Sequence, residues 1–333
     1  MQKKKLNKNI STFSIIDKDE RYNEKKNIKL IVNDLKCNSK LVYLENNNEI
    51  FLEKLKQLTN YHDGPIATLS YYVHSFLSES ISKSGFKVAI SGTGADEIFT
   101  GYYDHFLLHL GTLRGSELFN ANLDCWKKFI NPLLRNPSLK DPMTYVKNPE
   151  NRDIVYENIN DISNFAKKKQ NIKFNEMNFT SELLRNRMLN EMFYEVVPVI
   201  LKHDDLNSMY NSIENRSPYL DRELLEFSLT IPPHLLIADG YQKKILRDSG
   251  EGILLDSIRL SRQKKGFNAS IGSLIDLENE TIREFLFDKK SKINEFVDIK
   301  KLIKEINPKN IPNHISKLIF SIMTTKFFLD QPM

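Results

Sequence analysis

The run KVAISGTGADEIFTGYY, Lys87–Tyr103, collects residue types that can handle a phosphorylated ligand. Ser91-Gly92-Thr93-Gly94 is a turn whose glycines let backbone amides approach a ligand with no Cβ in the way. Asp96 and Glu97 follow at the start of a helical pattern. Asp96 is a hard oxygen donor of the kind Mg²⁺ takes. The amino end of a helix adds free amides and positive dipole for phosphate oxygens. Ligands of parallel sheets bind beyond the carboxyl ends of strands, and the apolar residues before Ser91 read as a buried strand ending there. A plainer reading remains open: a tight strand-to-helix turn whose carboxylates answer the helix dipole. A short glycine pattern does not by itself choose between the two.

The elements that must position this run alternate. STFSII (Ser11–Ile16) is short, apolar and β-branched and reads as a strand. Tyr22–Leu35 reads as a polar helix, KLVYLE (Lys40–Glu45) as a second strand, and Glu49–Leu58 and Ala67–Ser82 as helices. FKVAIS (Phe86–Ser91) is the third strand. Strands alternating with helices predict right-handed crossovers and a parallel sheet. Beyond about Leu110 strand signals fade, and twelve prolines across the chain break a mostly helical pattern. The expected fold class is therefore α/β, with an α/β core over 11–110 and a mostly helical region over 111–330 that completes a pocket.

Composition narrows the function. The chain has 333 residues, 40% hydrophobic and 27% charged, an ordinary composition for a domain with a real core. Net charge is +5 and the basic residues are scattered, where a nucleic-acid binder would concentrate them. No apolar run reaches the roughly 18 residues of a membrane span, and the basic N-terminus has no apolar stretch behind it to make a secretory signal. Two cysteines, Cys37 and Cys125, make no disulfide scaffold and fit a reducing compartment, so cytoplasm is the expected location. His62, His74, His203 and His234 show no metal-ligand spacing.

The longer string SGTGADEIFTGYY resembles the S-G-x-G-x-D-E-x-F-x-G-Y signature of the asparagine synthetase family. FSIIDKDERYNE (Phe13–Glu24), HDGPIATLSYYV (His62–Val73), KHDDLNSMYNSIENRSPYLD (Lys202–Asp221), KKILRDS (Lys243–Ser249) and RQKKGF (Arg262–Phe267) resemble further family blocks in the same order. The resemblance runs from about Thr12 to Phe328. It implies an adenine-nucleotide α-hydrolase-like layer and an ATP- and Mg²⁺-dependent enzyme that adenylates a carboxylate, aspartate first, for displacement by ammonia. Carried over by position, Ile15, Ser91, Gly92, Thr93, Gly94 and Glu97 would line ATP, and Asp96 would bind the metal. Lys264 would stabilise the acyl-transfer transition state, with Lys265 as its neighbour competitor. Tyr102 and Asp205 match a tyrosine–acid pair; Asp204 is the alternative to Asp205. Glu214 and Arg216 read as a buried structural pair.

The sequence also departs from that pattern. Thr93 stands where the best-known members have Glu, Thr100 where they have Gly, Leu206 where they have Arg, and Ser217 where they have an apolar residue. These changes open the acceptor to other carboxylates, such as a sugar uronic acid. No S-G-G-x-D-S pyrophosphate loop precedes Ser11, and Gln2 stands where a glutaminase cysteine would be. The expectation is a partner chain, or a missing N-terminal segment, that supplies both. A non-catalytic remnant of the fold is the remaining alternative.

Overall fold

The computed structural model describes residues 10–134, 136–152, 163–168, 175–263, 266–305, 307 and 311–331. Strand β1 (Ser11–Ile16) leads through helix α1 (Lys25–Leu35) to β2 (Asn38–Tyr43). Helices α2 (Asn48–Tyr61) and α3 (Leu69–Lys83) precede β3 (Val88–Ile90), and the signature run folds into α4 (Ala95–Phe99) and α5 (Tyr103–Thr112). Later come α6 (Leu183–Asn190), a π-turn at Glu191–Glu195, α7 (Val197–Tyr210), β4 (Glu214–Arg216) and the last helix, α8 (Asn313–Leu329). No helix among the described residues is long and apolar enough to cross a membrane.

The first three strands lie where the sequence puts them, with β2 starting two residues early and β3 trimmed to its apolar centre. The single parallel sheet does not form. The described strands make two separate parallel pairs, β1 with β2 and β3 with β4. Registers run Ser11 opposite Asn38 to Ile16 opposite Tyr43, and Val88 opposite Glu214 to Ile90 opposite Arg216. β4 is Glu-Asn-Arg, with no strand propensity. Pairing with β3 imposes its extended form, and Ser91 N–H prolongs the ladder by donating to Arg216 O at 2.9 Å. β3 is not the buried strand expected: Val88 and Ile90 are 44% and 69% exposed. Glu214 and Arg216 are likewise exposed rather than buried, and they pair with each other at 2.7 Å.

Two apolar cores carry the chain. The first joins Leu44, α2 and α3 to Ala269–Leu286 and to α8, so the chain's first and last thirds pack as one body. Phe320 sits at its centre, fully buried against Tyr72, with ring centroids 6.0 Å apart. The second core packs α4 and α5 against Trp126, α6 and Leu236. Fully buried aromatic side chains carry the largest packing contributions. Phe320→Ala should therefore cost about 3–5 kcal/mol by chemical denaturation, whereas Phe227→Ala, 56% exposed, should stay within about 0.5 kcal/mol.

Candidate functional site

The turn after β3 is shaped by its glycines. Gly94 holds φ +94°, and a Cβ there would meet Leu220 Cδ2 at 2.3 Å. Gly101 lies under the metal candidate: a Cβ at Gly101 would come within 2.0 Å of Asp96 Oδ1. Between them Thr100, a β-branched residue, takes φ +67°, a conformation that costs about 1–3 kcal/mol. Its fully buried hydroxyl donates to Phe99 O at 2.5 Å, lies 3.3 Å from Leu236 O, and offsets that strain by accepting from Lys243 N–H at 3.3 Å. The family glycine at this position is thus replaced by a residue that ties the Lys243 segment to α4.

That tie brings the first charged pair of the site together. Lys243 Nζ lies 2.5 Å from Asp96 Oδ1. Gln242 donates to Tyr102 O beside it. Around the pair lies a cavity of about 310 Å³ whose lining includes Glu24, Asp96, Gly101, Tyr241, Gln242, Lys243, Arg247, Arg262, Gln263, Gly266 and Phe267. Arg247 is fixed by Nε donating to Gln242 O at 2.7 Å and by a second bond to Arg259 O. Arg262 is clamped between two rings, 4.0 Å from the Phe129 centroid and 3.8 Å from Tyr241, and donates to Asp239 O at 3.1 Å. Arg262 and Gln263 on one side of 264–265, and Gly266 and Phe267 on the other, line this cavity. Lys264 and Lys265 themselves lie outside the described residues.

Chemically, three cations, Lys243, Arg247 and Arg262, and two carboxylates, Asp96 and Glu24, line one space beside the turn after β3. Such a set suits a polyphosphate and its divalent ion. Mg²⁺ commonly binds through one or two carboxylates plus substrate phosphates, and Asp96, with its side chain 26% exposed, fits that role. Glu97 does not. It is 3% exposed and accepts from Tyr102 Oη at 2.5 Å. Burial raises its carboxyl against the opposing hydrogen bond from Tyr102, and burial together with the Glu97 charge raises Tyr102 in turn. Sequence placed Tyr102 with Asp205 and Glu97 at the nucleotide; the structure pairs Tyr102 with Glu97 instead. Asp104, His105 and Glu191 cluster nearby, but His105 Nδ1 accepts from Gly101 N–H at 3.3 Å and its Nε2 donates to Glu191 at 2.9 Å. This cluster braces the backbone under Asp96.

A second cavity, about 900 Å³, opens on the other side of the turn, where Ser91, Gly92 and Thr93 line it together with residues of β1, β3 and α3. Ile15 is partly buried in the first core and does not line it. Asp205 is exposed and points away, while Asp204 is 6% exposed and lines the cavity. Helix periodicity was the available signal: His203, Asp204, Asn207 and Ser208 form the buried face of α7, and Asp205 lies off it. Asp204 is raised by burial, against the lowering effect of His74 and Thr93. Lys243 and Arg247 were legible only as part of the KKILRDS block, because the contact with Asp96 spans more than a hundred residues.

The asparagine synthase family model matches residues 1–322. The chain belongs to the asparagine synthase family. It is 25% identical over 264 residues to asparagine synthetase [glutamine-hydrolyzing] 1 of Bacillus subtilis (strain 168), covering 72% of this chain and 39% of that protein. It is 36% identical over 74 residues to a probable asparagine synthetase [glutamine-hydrolyzing] of Acanthamoeba polyphaga mimivirus, covering 22% of this chain and 13% of that one. The chain thus spans about two fifths of the length of the Bacillus relative.

The helix that presents Asp204 is held by an imidazole pair whose titration gives a test. His62 Nδ1 and His203 Nδ1 are 3.2 Å apart, Tyr71 stacks on His203 with centroids 4.5 Å apart, and His203 Nε2 accepts from Ala67 N–H at 3.4 Å. Burial holds His203 down to about 4, helped by His62 and Lys202, from an ordinary value of 6.5. A neutral folded imidazole contributes stability that is full above about 6.5 and lost as the pH falls from there toward 4. Denaturation midpoints should therefore drop more steeply across that window in the wild type than in His203→Gln. Parallel slopes would contradict the assignment.

Proposed function

We propose that this chain is the ATP-dependent synthetase part of an asparagine-synthetase-type amidotransferase, activating a carboxylate as its adenylate for displacement by ammonia. Aspartate is the acceptor the family resemblance favours. The observation that carries the reading is the convergence of Asp96, Lys243, Arg247 and Arg262 on one cavity beyond the end of β3.

In this reading the ATP triphosphate lies among those cations. An acceptor carboxylate oxygen attacks the α-phosphorus, the bond to the bridging oxygen breaks, and pyrophosphate leaves. Ammonia then attacks the acyl carbon and AMP departs with the electron pair of the acyl–oxygen bond. When bound, Mg²⁺ would be held by Asp96 and would neutralise charge on the departing pyrophosphate. Lys243 now neutralises Asp96 and is free to turn to a phosphate oxygen once a divalent ion takes the carboxylate. Lys264 is assigned, by the family resemblance, to the reacting phosphate, where a cation lowers the barrier as charge builds.

Ammonia and the pyrophosphate loop are assigned to a partner chain or to further polypeptide. Two features support this: β1 and β3 each keep one edge with no strand partner among the described residues, and open edges invite a further strand. The test is pyrophosphate release from ATP and Mg²⁺ by the chain co-expressed with the coding sequence adjacent to it. Asp96→Asn should reduce that rate about 100-fold or more while far-UV circular dichroism stays unchanged. A rate equal to wild type rejects the metal role of Asp96.

A further inference from the structure

Two non-glycine residues with positive φ meet at the site. Thr100 takes φ +67° and ψ +140° just after α4. Lys243 takes φ +54° and ψ +34°, a left-handed turn at the amino end of the helix Lys244–Ser249. Neither side chain suits such backbone, and the β-branched one suits it least. Strained conformations persist only where the surroundings over-determine them. Here one hydrogen bond joins the two strained residues, from Lys243 N–H to Thr100 Oγ1 at 3.3 Å. Thr100 is fully buried, with its hydroxyl also against Phe99 O and Leu236 O. The hydroxyl is therefore fixed in place when it captures the Lys243 amide. Gln242, one residue earlier, donates to Tyr102 O and accepts from Arg247 Nε at 2.7 Å, and Lys243 O accepts from Arg247 N–H at 2.9 Å. These bonds hold the neighbours of the Lys243 amide, and the Thr100 hydroxyl holds the amide itself.

That constraint has a consequence for Asp96. The backbone at 243 sets the direction in which the lysine side chain leaves, and Nζ ends 2.5 Å from Asp96 Oδ1. The held backbone keeps the base of the side chain beside the carboxylate, so the ammonium returns to it unless another anion takes it. A divalent ion arriving alone at Asp96 meets that ammonium at short range, where repulsion between like charges is strong. Arg247 and Arg262 line the same cavity and add to it. A phosphate reverses the balance, because its oxygens accept charge-assisted bonds from the ammonium as it leaves Asp96. A glycine at position 100 would take the same φ without strain but would offer no hydroxyl to Lys243.

We propose that Thr100 is a positioning residue that latches Lys243 beside Asp96, so that this carboxylate takes a divalent ion only together with a phosphate ligand. The nature of that phosphate ligand rests on the function proposed above; the latch does not.

The test is Mn²⁺ binding to the 333-residue chain without nucleotide, read from the electron paramagnetic resonance signal of the free ion. Thr100→Gly and Thr100→Ala both lose the hydroxyl and should bind Mn²⁺ about fivefold or more tightly than the wild type, as the ammonium withdraws. Thr100→Ser restores the hydroxyl and should stay within about twofold of the wild type. Adding Asp96→Asn to Thr100→Gly should abolish the gain. Circular dichroism confirms that the variants fold. Wild-type affinity in both hydroxyl-free variants, the same gain in Thr100→Ser, or a gain that survives Asp96→Asn would each overturn the proposal. Absence of pyrophosphate release would overturn the synthetase reading and leave the Mn²⁺ result standing.

Discussion

A carboxylate at the amino end of a five-residue helix meets an ammonium from a loop far along the chain at 2.5 Å, and most of the site's geometry follows from holding them there. Asp96 can occupy its place only because Gly101 has no Cβ. Gly101 is held by His105, which is held by Glu191. Lys243 reaches Asp96 because the hydroxyl of Thr100 captures its backbone amide, and Thr100 accepts backbone strain to do so. The pair is thus supported from two directions by buried polar groups with partners, the arrangement that buried polar networks need in order to rigidify a site.

Two cavities flank this point. The smaller one gathers Lys243, Arg247 and Arg262 and suits phosphate. The larger one carries Asp204 beside Thr93 and His74. Phe267 belongs to both.

The strands β1 and β2 and the helices α1 to α3 were legible because apolar and β-branched residues recur at the right periods. β4 was not, since Glu-Asn-Arg has no local preference for extension and gains it only by pairing with β3. The failure of one sheet to form has the same origin: strand patterns identify strands, not which edges meet. In the site, Asp96 was legible from a turn and a helix start. The choice between Asp204 and Asp205 was set by which face of α7 packs inward, and motif spacing pointed to the other residue. Glu97 read as a ligand-facing carboxylate because its neighbour is one, yet one residue of helix rotation turns it into the core against Tyr102.

The central claim is that Asp96 exchanges Lys243 for a divalent ion when nucleotide arrives. Crystals of the assembled protein grown with ATP and Mn²⁺, measured at the manganese edge, test it directly. The account predicts an anomalous peak about 2.0–2.3 Å from an Asp96 carboxylate oxygen, with Lys243 Nζ moved onto a phosphate. A nucleotide bound with its metal away from Asp96, and Lys243 still paired to that carboxylate, would contradict it.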